Sequence, residues 1–142
     1  MTKEEKRKLE EEIRRQCWVR DTNGLYGTDG YIPKKGYVSL EESYKFCTFY
    51  SIFNEEEHLE FLKISKNNFF VRYLDWVHIF GRGENKYSLE KTCLGNRLSH
   101  TFFDTYLNPA TGKRMTKEER NVWQERLYNY IIYKSNIATL ID

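Results

Sequence analysis

With 142 residues, the chain has the length of one typical domain, and we expect a single domain over residues 1–142. Aromatic residues make up 16% of the chain and charged residues 31%, a balance that supplies a core and a hydrated surface and argues against disorder throughout. No apolar run approaches the ~20 residues that span a bilayer, and the net charge of +2 neither requires nor excludes a nucleic-acid partner.

The first 66 residues are predicted to be helical, and their pattern indicates no role. A Thr, Ser or Asn side chain suited to capping a helix begins each of three stretches that are rich in helix-forming residues. The predicted helices are residues 2–21, residues 39–53 and the segment after Asn54.

The remainder of the chain, from residue 67, is predicted to be mixed. Aromatic and β-branched residues from Phe69 to Phe80 favour extended structure, in one or two strands that end at His78. A polar loop comes next, then a helix over residues 89–107 and a last helix that begins with Thr116 and Glu119. The predicted fold class is therefore α+β, mostly helical, with a short strand pair.

Two histidines and an aspartate have a spacing that suggests chemistry. His100 and Asp104 are four residues apart on a predicted helix, so they share a face and are suited to ligate one divalent ion. His78, at the strand end across the loop, is suited to deprotonate a water that attacks a phosphodiester, while the ion stabilises the developing charge. Mg²⁺, Mn²⁺ and Zn²⁺ all suit such a ligand set.

These residues resemble the ββα-metal motif of the HNH endonucleases, and small phage-borne members above all. The resemblance rests on the run HIFGRG from His78, a loop, and the run NRLSH from Asn96 with Asp104 after it. The run NPATG from Asn108, before the last helix, also resembles the segment after the motif in some members. The resemblance covers roughly residues 69–127, within an HNH-like segment 67–128, and implies an antiparallel strand pair that leads into a helix.

The resemblance assigns roles residue by residue. His78 corresponds to the general base, and Arg82 to a residue near the scissile phosphate. His100 and Asp104 correspond to metal-binding residues of the motif helix, and Asn96 to a polar residue that fixes the loop or the base. The basic residues around the proposed site, which we expect to contact nucleic acid, are Arg82, Lys86, Lys91 and Arg97.

Two positions depart from the pattern of the family. The residue before the base is usually an Asp or His that binds the metal, and here it is Val77. The position that often holds the middle asparagine corresponds more closely to Lys91. Asp75 lies two residues before Val77, on the same side of a strand, and is a candidate substitute ligand.

Two functions therefore stay open. The first is a metal-dependent HNH-type endonuclease that hydrolyses DNA phosphodiester bonds with a divalent ion (Mg²⁺, Mn²⁺ or Zn²⁺). The alternative is a catalytically silent HNH-fold phage protein that binds nucleic acid or a host protein in a counter-defence or regulatory role, as Val77 and Lys91 favour. A third interpretation is a helical interaction protein whose histidines are incidental.

The N-terminus and the cysteines indicate where the protein is located, and the resemblance indicates its partners. The charged first residues lack the apolar segment of a secretory signal. Cys17, Cys47 and Cys93 form no CxxC pair, which argues against a disulfide scaffold or a zinc knuckle. We expect a cytoplasmic protein, in the host cell if it is phage-encoded, with DNA as partner, a host or phage protein as a further option, and no membrane partner.

Overall fold

The computed structural model describes residues 1–141, and the side chains of residues 1–136. These residues form, in chain order, α1 (Lys3–Asp21), α2 (Leu40–Phe46), α3 (Thr48–Ile52), α4 (Glu55–Ser65), β1 (Leu74–His78), β2 (Thr92–Asn96), α5 (Arg97–Asp104) and α6 (Lys117–Ile141). Short 3-10 turns occur at Lys34–Gly36, Phe69–Arg72 and Leu89–Lys91. The fold is α+β and mostly helical, with one antiparallel strand pair, which confirms the predicted class.

Capping residues set the helix starts. Thr2, Ser39 and Asn54 each accept a hydrogen bond from the backbone N–H three residues later, and the glutamate there accepts one from the backbone N–H of the capping residue. Thr116 and Glu119 make the same reciprocal pair before α6. The four predicted helix starts are confirmed. They could be predicted because a capping box depends only on residues that are close together in the chain.

The prediction of one helix over residues 39–53 was wrong, since the segment forms two helices. Cys47 separates them with an extended backbone, at φ −75° and ψ 123°. Its thiol accepts the backbone N–H of Asn96 at 3.1 Å, so the break allows α2 and α3 to meet the end of β2. That contact joins residues far apart in the chain, and a local helical pattern does not reveal it.

The second strand lies where a continuous helix was predicted, so the prediction for residues 89–107 was wrong. Two distant contacts favour the strand. The carboxylate of Asp21 accepts the backbone N–H of Leu94 at 2.9 Å, and Gly95 lies so close to Phe49 that a Cβ there would be 2.5 Å from the ring.

The Phe69–Arg72 segment was also predicted wrongly. It was expected to be extended, and it forms a 3-10 turn before β1.

The sheet leads directly into α5. In the antiparallel register Leu74 faces Asn96 and His78 faces Thr92, so the loop between the strands leaves from His78. All five residues of β2 are buried, and β2 contacts α1, α2, α3 and α5. The strand end at His78 and the start of α5 therefore rest on the most enclosed element of the protein.

The core around β2 is largely aromatic and aliphatic. Its largest fully buried apolar side chains are Trp18, Phe49, Phe61, Phe103, Ile79, Leu94, Leu127, Ile131 and Val77. The three cysteines are buried free thiols. Of the helices that the structure describes, none is long and apolar enough to cross a membrane.

A buried carboxylate joins three of the elements. Asp21, at the end of α1, contacts Arg20 at 2.8 Å and Lys134 of α6 at 3.2 Å, besides the backbone of Leu94 in β2. Burial opposes the charged form of Asp21, but the two cations outweigh it and lower the pKa of the carboxyl. A charged Asp21 therefore holds α1, β2 and α6 together.

Candidate functional site

His78 ends β1 with its ring beside that of Trp76, at 4.4 Å between ring centroids. Its Nε2 is buried and has no hydrogen-bond partner among the described residues. Burial and the charge of His100 lower the pKa of His78, against opposing contributions from Asp104 and from a backbone interaction with Lys86. The ring is therefore neutral at neutral pH, so one of its two nitrogens is an acceptor.

His100 lies between two carboxylates. Its Nδ1 is 3.0 Å from Oδ2 of Asp75 on β1, and its Nε2 is 2.9 Å from Oδ2 of Asp104, one turn later on α5. The side chains of His100 and Asp75 are about one-fifth exposed, whereas that of Asp104 is half exposed. The pair predicted from the i, i+4 spacing is formed, and Asp75 adds a third member from the neighbouring strand.

The two carboxylates change the protonation of this ring. Burial alone would lower the pKa of His100, but the hydrogen bonds with Asp104 and Asp75 outweigh burial and raise the pKa to about 9. Burial would raise the pKa of Asp75, and its bonds to His100 and Arg97 lower it instead. At neutral pH the ring is an imidazolium that donates one N–H to each carboxylate.

Asn96 sets the position of α5 and so of His100. Its side chain is fully buried and caps the helix, since its Oδ1 accepts the backbone N–H of Ser99 at 2.9 Å. Its Nδ2 donates to the Ser99 hydroxyl at 3.1 Å and to Cys47 Sγ at 3.3 Å. These contacts act on the start of α5, whereas the sequence predicted a role at the loop or the base.

Arg97 is engaged within the protein. Its guanidinium bonds to the Asp75 carboxylate, at 3.0 Å for the shortest contact, and stacks over the ring of Tyr73 at 4.4 Å. It also donates to the backbone oxygen of Lys35. Arg97 therefore holds Asp75 in place beside His100, while the nucleic-acid contact expected of it stays a prediction.

The other predicted basic residues lie on the loop between the strands. Arg82 is 58% exposed and pairs with Glu10 of α1, a contact that the sequence did not indicate. Lys91 donates to Asn85 Oδ1 at 3.1 Å, and the Lys86 ammonium lies over the ring of Tyr87. The loop thus carries these three cations together with Glu84 and Glu90, and its most exposed cation is paired to a further acid, Glu10.

The possible metal ligands near His100 are too few to surround an ion by themselves. Among the described residues, no three His, Cys, Asp or Glu side chains are arranged to hold a metal ion by themselves. His100 Nε2 and Asp104 offer an imidazole and a carboxylate side by side, while Asp75 contacts the opposite edge of the ring. Mg²⁺ is often held by one or two carboxylates, with water and phosphate oxygens completing its shell, and imidazole suits Zn²⁺ better. In this pair Asp104 is the donor suited to Mg²⁺ or Mn²⁺, and His100 the donor suited to Zn²⁺.

Comparison of the chain with protein-family models, with curated proteins and with solved structures returned no match. The geometry therefore carries the functional argument. His78, His100 and Asp104 share one electrostatic environment, since the charges of the last two act on the pKa of the first.

Proposed function

We propose that the protein is a metal-dependent endonuclease of the HNH type that hydrolyses DNA phosphodiester bonds. One observation carries the proposal: the neutral His78 offers a buried Nε2 without a partner among the described residues, in the electrostatic environment of the His100–Asp104 pair. Functional sites are one place where an unsatisfied buried polar atom is retained. Five other described side chains also hold such an atom, so what distinguishes His78 is its position near the His100–Asp104 pair. A base and a pair of metal-binding groups are what metal-assisted hydrolysis needs.

His100 Nε2 and Asp104 would hold the divalent ion. The ion would supply a positive charge that stabilises the phosphodiester oxygens as charge builds on them. Asp75 would act on His100 through its Nδ1, and we assign it to orienting the ring. A carboxylate on the second nitrogen of a metal-binding histidine fixes the tautomer and strengthens the ligand.

His78 would accept a proton from the attacking water. A lowered pKa keeps its ring neutral and able to accept at neutral pH. Its Nε2 is closed to solvent, so the groups around it would have to move before a water reaches it. Arg82, on the loop between the strands, would leave Glu10 and contact the phosphate.

The alternative is a catalytically silent member that binds nucleic acid or a host protein. Val77 favours it, because the position that usually supplies a metal ligand is a fully buried core residue here. Such a protein would keep the cations of the loop between the strands and lose hydrolysis. The two proposals differ in one outcome, the cleavage of DNA.

The test is the nicking of supercoiled plasmid with Mg²⁺, Mn²⁺ or Zn²⁺ by the native chain and by the variant His78→Ala. A general base contributes about 10²- to 10⁴-fold, so the variant should lose nicking to that extent. His58→Ala is the matched control, because His58 lies on α4 and contacts Tyr50 and Phe53 rather than the site. Circular dichroism establishes that both variants are folded.

Either of two results would overturn the endonuclease proposal. Folded native protein that nicks with none of the three ions favours the silent alternative. Nicking that is equal in His78→Ala and His58→Ala assigns the activity to something other than this site.

A further inference from the structure

The turn after α5 carries an aromatic residue in a backbone conformation that side chains avoid. Tyr106 has φ 61°, in the left-handed region. The N–H of Leu107 donates to Phe102 O at 2.7 Å, and that of Tyr106 donates to Phe103 O at 3.4 Å. These two bonds are the Schellman pattern that ends many helices, with Tyr106 at the position glycine usually occupies.

The backbone therefore gives no reason for a tyrosine at this position. Glycine adopts a left-handed conformation without a Cβ clash, whereas a bulky side chain there carries strain. Residues held against strain concentrate at functional sites, where the side chain is needed in a fixed place. The reason for Tyr106 has to lie in its ring.

A cation covers one face of the ring, and the residue as a whole stays about half exposed. The Arg120 guanidinium stacks over it at 4.7 Å from the centroid, and Arg120 itself is held by a hydrogen bond from its Nε to Phe103 O at 3.1 Å. Tyr106 nevertheless remains 46% exposed. A rigid, half-exposed ring backed by a cation is a platform on which a planar group stacks.

Two exposed cations lie on the chain segment that returns past Tyr106. Arg114 forms a bridge with Leu107, and Met115 N donates to Tyr106 O at 2.8 Å, so the returning chain runs alongside Tyr106. Lys113 and Arg114 are exposed, and neither makes an ion pair with a described residue. Asp104 of the candidate metal site lies two residues before Tyr106 in the chain.

We propose that Tyr106, Lys113 and Arg114 form a binding site for an unpaired nucleotide of a nucleic-acid strand. Its base stacks on the face of Tyr106 opposite to Arg120, and the adjoining phosphates contact Lys113 and Arg114. Aromatic stacking together with cations is how proteins bind single strands without reading their sequence. The inference rests on the proposed function for its choice of DNA as the strand, and it extends that function to substrates with unpaired bases.

Binding of a short labelled single-stranded oligonucleotide, measured by fluorescence anisotropy with EDTA present, tests the site. Tyr106→Gly should bind about tenfold more weakly than the native chain, while Tyr106→Phe should bind like it, because phenylalanine keeps the stacking face. The glycine variant relieves the backbone strain, so its thermal midpoint should not fall, and lost binding is then not lost folding.

Two further comparisons separate the contributions. On an abasic strand with the same number of phosphates, Tyr106→Gly should bind like the native chain, since no base is left to stack. Replacing Lys113 and Arg114 together with glutamine should reduce the salt dependence of binding by roughly 1.4 in the log–log slope, about 0.7 for each phosphate contact on a single strand.

Equal binding of the single strand by native protein and Tyr106→Gly would overturn the proposal, as would equally tight binding of an acidic peptide. Neither result depends on catalysis, since EDTA removes the ion. A protein that binds the strand as described and nicks no plasmid refutes the endonuclease and leaves this site standing. If the native protein nicks plasmid and Tyr106→Gly binds the single strand as well as the native chain does, the endonuclease proposal stands and the Tyr106 site is refuted.

Discussion

Oδ2 of Asp75 lies 3.0 Å from Nδ1 of His100, on the edge of the imidazole opposite to Asp104. The first residue comes from β1 and the second from α5, so the contact fixes the ring across the joint between strand and helix. Arg97 holds the same carboxylate from its other side. Together with the contact to Asp104, this relationship raises the pKa of His100, and it holds the ring so that its Nε2 faces Asp104.

Removing that carboxylate should lower the pKa of His100. In the native protein the pKa is raised from 6.5 to about 9, so the stabilisation is complete below pH 6.5 and is lost as the pH rises through about 9. Asp75→Asn should bring the pKa towards 6.5 and remove about 1–3 kcal/mol of this pH-dependent stability. NMR titration of the His100 ring and urea unfolding across this range measure both, and a pKa that stays near 9 in the variant would contradict the account.

Metal binding should compete with a proton on His100 Nε2. The imidazolium has to lose this proton before it can bind an ion, so the apparent affinity for Mn²⁺ should rise about tenfold per pH unit below pH 9. Calorimetry in buffers of different ionisation enthalpy should show about one proton released per ion at neutral pH. Binding without proton release, or binding that survives His100→Ala, would place the ion elsewhere.

Breaking the contact between Glu10 and Arg82 should favour DNA binding. Arg82 is 58% exposed, so Glu10→Gln should change the free energy of unfolding by less than about 1 kcal/mol. It should free one cation for a phosphate and increase the salt dependence of duplex binding by roughly 0.9 in the log–log slope. Glu11→Gln, which makes the same charge change but releases Arg7 within α1, is the control. Equal slopes for the two variants would refute the role of Arg82.

Loss of the buried carboxylate of Asp21 should strongly destabilise the fold. Asp21→Ala leaves Arg20 and Lys134 without their buried partner and the N–H of Leu94 without an acceptor. Removing one member of such a pair typically costs about 3–5 kcal/mol. The exposed loop residue Asp29 offers a matched control: Asp29→Ala loses only one exposed hydrogen bond, from the backbone N–H of Tyr31, and should cost no more than about 1 kcal/mol. Urea unfolding measures both, and a loss below about 1 kcal/mol for Asp21→Ala would contradict this interpretation.

The starts of α1, α2, α4 and α6 were predictable from the sequence, because each has a capping box between residues three apart. Those of α3 and α5 were not, since neither helix begins with a capping box. The strand β2 was not, since the contacts that favour it come from far along the chain. Asp21, which holds the backbone of Leu94, lies 73 residues before it. The local pattern of residues 89–107 is helical, and tertiary contacts override it.

The candidate site was predictable to a similar extent. The i, i+4 spacing indicated that His100 and Asp104 meet, and the strand end indicated His78. The position of Asp75 on the other edge of His100 depends on how β1 crosses α5, which no local spacing reveals. The pairing of Arg82 with Glu10 joins residues 72 apart and was likewise beyond a local reading.

The most direct test of the proposed metal site is an NMR titration of the histidine side chains with Mn²⁺, whose unpaired electrons broaden the signals of nearby nuclei. The account predicts that His100 broadens first, then His78, while His58 stays sharp. His58 is a stringent reference, because it lies on α4 among exposed glutamates that attract ions without forming a site. A His100 signal that remains sharp, or broadens no more than that of His58, would contradict the account.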